Sequence, residues 1–216
     1  MDLELDGKVA VVTGATRGIG LAIAQRLAAE GCALAVCARD GAAAEALAAR
    51  LPRAFGAGVD VTDDAALAAF IDAAAAELGA IDCLVANAGG APGRRELEHS
   101  TAEDWVAGYR LTVVHAVGAL RACLPHMRAG GGGSAVFISS ISARKPAPRA
   151  HYGAAKAAES FAAATLAREE FPGGALGTPE QVADVAAFLL SDRASFVNGA
   201  DVAVDGAQNA PGAFGY

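Results

Sequence analysis

The sequence predicts an α/β protein built on a doubly wound parallel sheet with helices on both faces. Short apolar runs alternate with alanine-rich helical stretches along most of the chain. These runs are apolar at successive positions, as in strands that are covered on both sides. The chain has 216 residues, of which 54% are hydrophobic and 19% charged, so it can bury a sizeable core. Without repeats or linkers, one domain over residues 1–216 is expected.

The first half of the chain alternates strand and helix. Its strands are short and apolar, and its helices combine alanine with spaced larger side chains. The predicted strands are Lys8–Thr13, Ala33–Ala38, Gly58–Val61 and Ile81–Ala86, and the predicted helices run through Glu30, across Ala42–Leu51 and over Asp64–Leu78.

The second half begins with one long predicted helix over Ala102–Met127. A glycine run at 130–133 makes a turn, and Ala135–Ser140 reads as a fifth strand. A proline-interrupted loop, Ser142–Arg149, leads into a helix that ends near Phe171.

The alternation breaks after Phe171. The next helix begins at Pro179, with Thr178 as its N-cap, so two helices follow each other without a strand between them. The last predicted strand is Asp201–Val204. Parallel strands need a crossover, usually one helix, so the sheet is expected to lack one strand here. Two readings stay open: a truly shortened protein, or a sequence from which a mobile segment is missing.

Composition argues against several classes of protein. The net charge of −7 gives no basic footprint for nucleic acid, and no apolar run is long enough to span a bilayer. The acidic start does not resemble a signal peptide, and the four scattered cysteines fit a reducing compartment. Without a cluster of ligand residues, no metal site is predicted. We therefore expect a cytoplasmic protein.

A glycine-rich loop joins the first strand to the first helix. In Thr13–Gly20, Gly14 can make the tight turn, Gly18 lets backbone approach a pyrophosphate, and Gly20 allows close helix–strand packing. The helix N-terminus adds free N–H groups and partial positive charge. The spacing is G-x-x-x-G-x-G, and its strand–loop–helix context predicts a Rossmann-like, dinucleotide-binding fold.

The end of the second strand bears on the choice of cofactor. Ala38 stands where an acidic residue would bind the ribose 2′-hydroxyl of NAD, and Arg39 follows it. Together with Arg17 in the glycine loop, Arg39 favours a 2′-phosphate and hence NADP(H). The alternative is that Arg39 and Asp40 form a solvated turn.

Tyr152 and Lys156 are four residues apart on the last long helix, so they share one face. A free phenol has a pKa of about 10 and is a poor proton donor at neutral pH. A cation about 4 Å away stabilises the phenolate by roughly 4 kcal/mol at an effective dielectric near 20. Such a pair can serve acid–base chemistry, although a half-buried aromatic beside a solvated charge is the commoner arrangement.

Taken together, the motifs resemble the short-chain dehydrogenase/reductase family, in its NADP(H)-preferring, 3-oxoacyl reductase-like branch. The resemblance covers nearly the whole chain. The matching segments, in order, are Thr13–Gly20, Asp60-Val61, Asn87-Ala88-Gly89, Ser139-Ser140, Tyr152-x-x-x-Lys156, Gly177-Thr178-Pro179-Glu180 and Val204-Asp205-Gly206.

The resemblance implies roles for these positions. Tyr152 is expected to be the general acid or base, Lys156 to tune it and hold the nicotinamide ribose, and a serine to bind the substrate oxygen. The expected cofactor contacts are Gly14, Thr16, Arg17, Gly18, Ile19, Gly20, Arg39, Asp60, Val61, Asn87, Ala88, Gly89, Tyr152 and Lys156.

Three departures from the family pattern stand out. Position in the pair favours Ser140 as the substrate serine, whereas spacing from the tyrosine points to Ser139. Thr112 stands where the family usually has an asparagine that supports a relay water. A strand and the substrate lid are missing after Phe171, which makes the chain shorter than usual by roughly 40 residues, a sizeable share of such a domain.

These observations predict an NADP(H)-dependent oxidoreductase that interconverts a ketone and a secondary alcohol. One alternative is a catalytically impaired nucleotide-binding scaffold or subunit, and another is an NAD-dependent alcohol dehydrogenase of the same family. The expected partners are a small carbonyl or alcohol substrate and copies of the chain itself, as a dimer or tetramer, with neither nucleic acid nor membrane.

Overall fold

Five parallel strands form one sheet in the order β3-β2-β1-β4-β5. The computed structural model describes residues 3–93, 96–145, 149–170, 179–190, 192–197, 200 and 202. The strands are β1 (Val9–Thr13), β2 (Ala33–Ala38), β3 (Ala54–Gly58), β4 (Cys83–Ala86) and β5 (Ser134–Phe137). The expected parallel sheet with helices, a Rossmann-like fold, is confirmed.

The strand order reverses at β1, which pairs with β2 on one side and with β4 on the other. In open α/β sheets, ligands bind in the crevice outside the carboxyl ends of the strands at such a switch point. Every residue of β1 is buried, which explains its continuous apolar sequence. The loops that follow β1 and β4 therefore meet at the place where a ligand is expected.

Seven α-helices lie within the described residues, with three short 3₁₀ turns and one π turn. The α-helices are α1 (Gly18–Ala29), α2 (Gly41–Ala48), α3 (Asp64–Leu78), α4 (Ala102–Tyr109), α5 (His115–Ala129), α6 (Ala150–Glu170) and α7 (Pro179–Leu190). The other turns are Leu97–His99, Arg110–Val114, Ile141–Ala143 and Asp192–Ala194, of which Arg110–Val114 is the π turn.

The third strand begins earlier than predicted, at Ala54 instead of Gly58. Its sequence is rich in small residues because α2 packs closely on it: a Cβ at Gly56 would lie 2.8 Å from the Cβ of Ala48. The predicted strand, Gly58–Val61, included the β-branched residues Val59 and Val61, which are buried but lie beyond the end of β3. The fifth strand likewise ends at Phe137, before the serine pair.

The predicted long helix over 102–127 is divided by the π turn Arg110–Val114. A π turn inserts an extra residue into the helical ladder and is often found at functional sites. Thr112, singled out in the sequence, lies in this turn and is fully buried.

Contacts divide the chain into two compact units, residues 2–160 and residues from 161 onward. The sheet belongs to the first unit, and α7 with its following 3₁₀ turn belongs to the second. The single domain over residues 1–216 stays a prediction. The expected break after Phe171 and the last strand, Asp201–Val204, lie outside the described residues. In the described part of the chain, no helix is both long enough and apolar enough to cross a membrane.

Candidate active site

The glycine loop packs directly against the end of β4. Gly14 and Gly18 have φ of +65° and +57°, a left-handed conformation that favours glycine. A Cβ at Gly14 would lie 3.0 Å from the Cα of Ala88, and one at Gly20 would meet the Gly14 carbonyl. A Cβ at Gly18 would meet nothing within 4 Å. The loop is therefore tight on its protein side and open at Gly18, as a bound pyrophosphate requires.

The N-terminus of α1 has no side-chain cap, and no acidic residue lies in its first turn. Three other helices are capped by their own sequence: Asp40 caps α2, Asp63 caps α3, and Thr101 forms a capping box on α4. The first N–H groups of a helix need acceptors and attract anions. The uncapped N-terminus of α1 and the open loop at Gly18 together leave a place that suits the diphosphate of a nicotinamide dinucleotide.

A single hydroxyl ties the ends of β1 and β4 together. Thr13 Oγ1 accepts hydrogen bonds from the backbone N–H groups of Asn87 and Ala88, each at 3.0 Å. The Asn87 side chain returns two bonds, from Nδ2 to the carbonyl oxygens of Thr13 at 2.9 Å and Gly14 at 3.1 Å. Asn87 therefore lies just after β4 beside the glycine loop, and its amide holds that loop in position.

Arg39 and Asp60 come together at the carboxyl ends of β2 and β3. Asp60 Oδ1 accepts from the backbone N–H of Thr62 at 3.0 Å and from its hydroxyl at 2.8 Å. These bonds, and the charge of Arg39, lower the pKa of the Asp60 carboxyl. Asp40 is occupied by capping α2, where Oδ1 accepts from Ala43 N at 3.0 Å. Arg39 is exposed and supplies positive charge at this edge.

Tyr152 and Lys156 lie on α6, with Tyr152 half-buried and Lys156 only 3% exposed. Lys156 Nζ donates to the carbonyl oxygen of Ile138 at 2.6 Å and to Glu159 Oε2 at 2.8 Å. The same atom would be 3.4 Å from a Cβ at Gly89. Lys156 therefore reaches from α6 to the loop after β4.

The two serines after β5 make different contacts. Ser139 Oγ lies 2.7 Å from Ser160 Oγ and donates weakly, at 3.5 Å, to the Lys156 carbonyl. Ser140 Oγ accepts from Ser142 N at 3.1 Å at the start of a 3₁₀ turn. The Ser139 hydroxyl thus contacts α6, whereas the Ser140 hydroxyl proton has no acceptor among the described residues.

Buried polar groups continue behind the site. The hydroxyl oxygen of Thr112 has no hydrogen-bond partner among the described residues. One turn later, His115 Nε2 lies 2.9 Å from Thr13 Oγ1. Burial and the charge of Lys156 lower the pKa of His115 from 6.5 to about 4, although the Leu111 and Thr112 carbonyls oppose the shift. Among the described residues, His115 Nδ1 has no hydrogen-bond partner of ordinary geometry. With a pKa of about 4, His115 is neutral at neutral pH.

The sequence interpretation gave no individual role at the site to three residues in this region: Thr13, His115 and Glu159. Glu159 follows Lys156 by three residues, and this spacing is a signal for a helical ion pair. No local pattern connects Thr13 to His115, which lies 102 residues away. Within the described ranges, no group of three or more His, Cys, Asp and Glu residues could hold a metal ion.

Comparison with known proteins agrees with this geometry. The family model described as short chain dehydrogenase matches residues 8–174, and one described as enoyl-(acyl carrier protein) reductase matches residues 161–208. The chain is 39% identical to a cis-4-hydroxycyclohexanecarboxylate dehydrogenase of Sinomonas cyclohexanicum, over 94% of this chain and 97% of the relative. It is 32% identical to the 3-oxoacyl-[acyl-carrier-protein] reductase MabA of Mycobacterium bovis, over 91% and 90%.

A solved structure is similar over almost its whole length. A 7α-hydroxysteroid dehydrogenase complexed with NADH and 7-oxo glycochenodeoxycholic acid superposes with a TM-score of 0.75 at 28% identity, covering 95% of each chain.

The alignment with the Sinomonas dehydrogenase also bears on chain length. It extends over 244 positions, whereas 94% of 216 residues is about 203, so about 41 positions have no counterpart in this chain. That agrees with the expected shortening. The family model covers the glycine loop, Asn87 and the helix that carries Tyr152 and Lys156. The chain therefore belongs to the short-chain dehydrogenase/reductase family, oxidoreductases that use a nicotinamide cofactor on alcohol or ketone substrates.

Proposed function

We propose that the chain is an NADP(H)-dependent oxidoreductase that interconverts a ketone and a secondary alcohol, with Tyr152 exchanging the proton. One observation carries the proposal: buried Lys156 lies one helical turn after Tyr152 and extends to Gly89, beside the sheet's switch point. This cation is one helical turn from Tyr152 and close to the loop expected to border a dinucleotide. A lysine that supports proton exchange beside a cofactor has to be close to the tyrosine and close to the cofactor.

The proposed chemistry assigns a separate task to each side chain. When bound, the nicotinamide supplies or accepts the hydride. In reduction, the Tyr152 hydroxyl donates its proton to the carbonyl oxygen, and the Lys156 ammonium stabilises the phenolate that remains. The Ser140 hydroxyl donates a hydrogen bond to the same oxygen, while its own oxygen is held by Ser142 N. In alcohol oxidation the same groups act in reverse.

The cofactor is proposed to lie across the ends of β1, β2 and β4. The uncapped α1 N-terminus binds the diphosphate, and Arg17 and Arg39 bind the 2′-phosphate. The proposed contacts further along the dinucleotide are Gly14, Thr16, Gly18, Ile19, Gly20, Asp60, Val61, Asn87, Ala88, Gly89, Tyr152 and Lys156. The buried Thr112 hydroxyl, which has no partner among the described residues, is proposed to hold a water in the place of the family's asparagine.

A second candidate keeps the reaction and changes the cofactor. The similar 7α-hydroxysteroid dehydrogenase is complexed with NADH. An NAD-dependent alcohol dehydrogenase is therefore the alternative, and the two are separated by measuring affinity for both cofactors.

The test uses the full chain with NADPH or NADH and a panel of carbonyls and alcohols that includes cis-4-hydroxycyclohexanecarboxylate and a 3-oxoacyl thioester, after the substrates named for its relatives. Tyr152→Phe is expected to lower kcat at least about 10²-fold, the usual contribution of general acid–base catalysis. Tyr109→Phe, at an exposed tyrosine on α4, is the control and should turn over normally. Undiminished turnover in Tyr152→Phe would refute the mechanism. Tight cofactor binding without turnover anywhere on the panel would instead favour the scaffold.

A further inference from the structure

Lys156 has a dedicated acidic partner inside the protein. Glu159 lies three residues later on α6, and its Oε2 accepts from Lys156 Nζ at 2.8 Å. The side chains of Lys156 and Glu159 are 3% and 0% exposed. Glu159 Oε1 has no partner among the described residues, so the carboxylate's recorded side-chain bond is the one to Lys156. This arrangement differs from a surface pair, which contributes little.

The two charges depend on each other. Burial raises the pKa of the Glu159 carboxyl, while the hydrogen bond and the charge of Lys156 lower it. A Lys156 ammonium without Glu159 would be as costly to bury as a Glu159 carboxylate without Lys156, because a buried charge without a partner loses several kcal/mol of solvation. A buried lysine without its partner therefore tends to lose its proton.

The pair also limits where Lys156 can point. An ammonium group has three N–H donors. One goes to Glu159 and one to the Ile138 carbonyl beyond β5, at 2.6 Å. Among the described residues the third has no acceptor, and the side of the site that borders Gly89 is close by, since a Cβ at Gly89 would be 3.4 Å from Nζ.

We propose that Glu159 is a positioning residue for the reaction: its buried carboxylate keeps Lys156 protonated and aims its remaining N–H toward the cofactor and Tyr152. The inference rests on the proposed function, because it assigns Glu159 a role through Lys156. Among the described residues, His115 on α5 interacts with the charge of Lys156, and Tyr152 lies one turn before Lys156 on α6. His115 cannot supply a negative charge, so Glu159 is the acidic partner of Lys156 among these groups.

The protein's small number of lysines makes a direct test possible. There are three, Lys8, Lys145 and Lys156, so ¹³Cε-lysine NMR of the full chain resolves each, with Lys8→Arg and Lys145→Arg giving the assignments. In Glu159→Gln, the glutamine oxygen can still accept from Nζ but carries no charge. We expect the titration midpoint of Lys156 to fall by more than about one pH unit. Glu45→Gln, at an exposed position on α2, is the control and should leave it unchanged.

Turnover supplies the functional readout. In Glu159→Gln, kcat for carbonyl reduction should equal that of the parent at low pH. As the pH rises and Lys156 loses its proton, kcat should decline, and the decline should begin at a lower pH than in the parent. An unmoved Lys156 midpoint, or an unmoved pH profile despite a shifted midpoint, would overturn the role of Glu159. The NMR titration needs no substrate, so it decides on Glu159 even if Tyr152→Phe disproves the reaction.

A stability cycle covers the case in which Glu159→Gln folds poorly. Lys156→Met leaves the Glu159 carboxyl buried and unpaired, and Glu159→Leu does the same to the ammonium. If the two residues are coupled, urea unfolding should show that the double variant loses less stability than the sum of the losses in the two single variants. Additive losses would contradict the proposal.

Discussion

The hydroxyl of Thr13 lies 2.9 Å from Nε2 of His115, and the geometry fixes which group donates. Thr13 Oγ1 already accepts from two backbone N–H groups, those of Asn87 and Ala88. A hydroxyl has two acceptor sites and one proton, so the proton goes to His115 Nε2. The imidazole must therefore be neutral, with its own hydrogen on Nδ1. This pair joins the end of β1 to α5 beside the cofactor crevice.

Acid should weaken the fold through His115. Its folded-state pKa of about 4 is below the ordinary 6.5, so the unfolded chain binds the proton more readily between these values. Stability from the neutral imidazole is complete above pH 6.5 and is lost as the pH falls toward 4. The loss is roughly 3 kcal/mol, at 1.36 kcal/mol for each pKa unit. Urea unfolding of the parent and of His115→Gln, at several pH values from 4 to 7, measures it.

The glutamine variant is the reference in that experiment, because it can accept from Thr13 without titrating. Carboxylates weaken both proteins in acid, so the difference between the two curves isolates His115. Parallel curves would show that the pKa of His115 is not lowered in the folded protein.

Gly20 should be intolerant of any side chain. Its Cβ would meet the Gly14 carbonyl oxygen and lie 2.5 Å from Asn87 Nδ2, both of which belong to the glycine loop and its support. We expect Gly20→Ala to weaken binding of NADPH and NADH alike, at least tenfold, because the loop must shift to accommodate the methyl group. Fluorescence titration with each cofactor measures the change.

The matched control is Gly118→Ala, a buried helical glycine whose Cβ would lie 3.4 Å from Asp64 Oδ1. Alanine is favoured over glycine within a helix by about 1 kcal/mol, so this variant should bind cofactor normally. Normal binding by Gly20→Ala would mean that the loop does not hold the cofactor.

Arg39→Ala should distinguish the two cofactors. A charge-assisted hydrogen bond contributes about 1.5–3 kcal/mol, so losing the contact to a 2′-phosphate should weaken NADPH binding about 10- to 100-fold. NADH lacks that phosphate and should bind as in the parent. Isothermal titration of both cofactors provides the measurement, and Arg121→Ala, at an exposed arginine paired with Asp64 at 3.2 Å, serves as the control. Equal losses for the two cofactors would favour the NAD-dependent alternative.

Much of the fold was predictable from the sequence because a buried parallel strand leaves a local trace. The strands β1, β2 and β4 are short apolar runs that stand out in the sequence. The third strand was misplaced because its residues are small, and they are small because α2 packs closely on Gly56. The π turn at Thr112 was also unforeseen, since helical periodicity does not reveal an inserted residue.

The sequence by itself determined the family, the glycine loop and the proximity of Tyr152 to Lys156, because these depend on spacing within one turn or one helix. Tertiary structure alone decided that Thr13 donates to His115 and that Lys156 reaches Gly89 and the Ile138 carbonyl. It also buried Glu159 completely, which changes an ordinary helical ion pair into a costly and mutually dependent one. The physical reason is desolvation: charge and tautomer follow from the surroundings that distant segments create, and local sequence does not encode them.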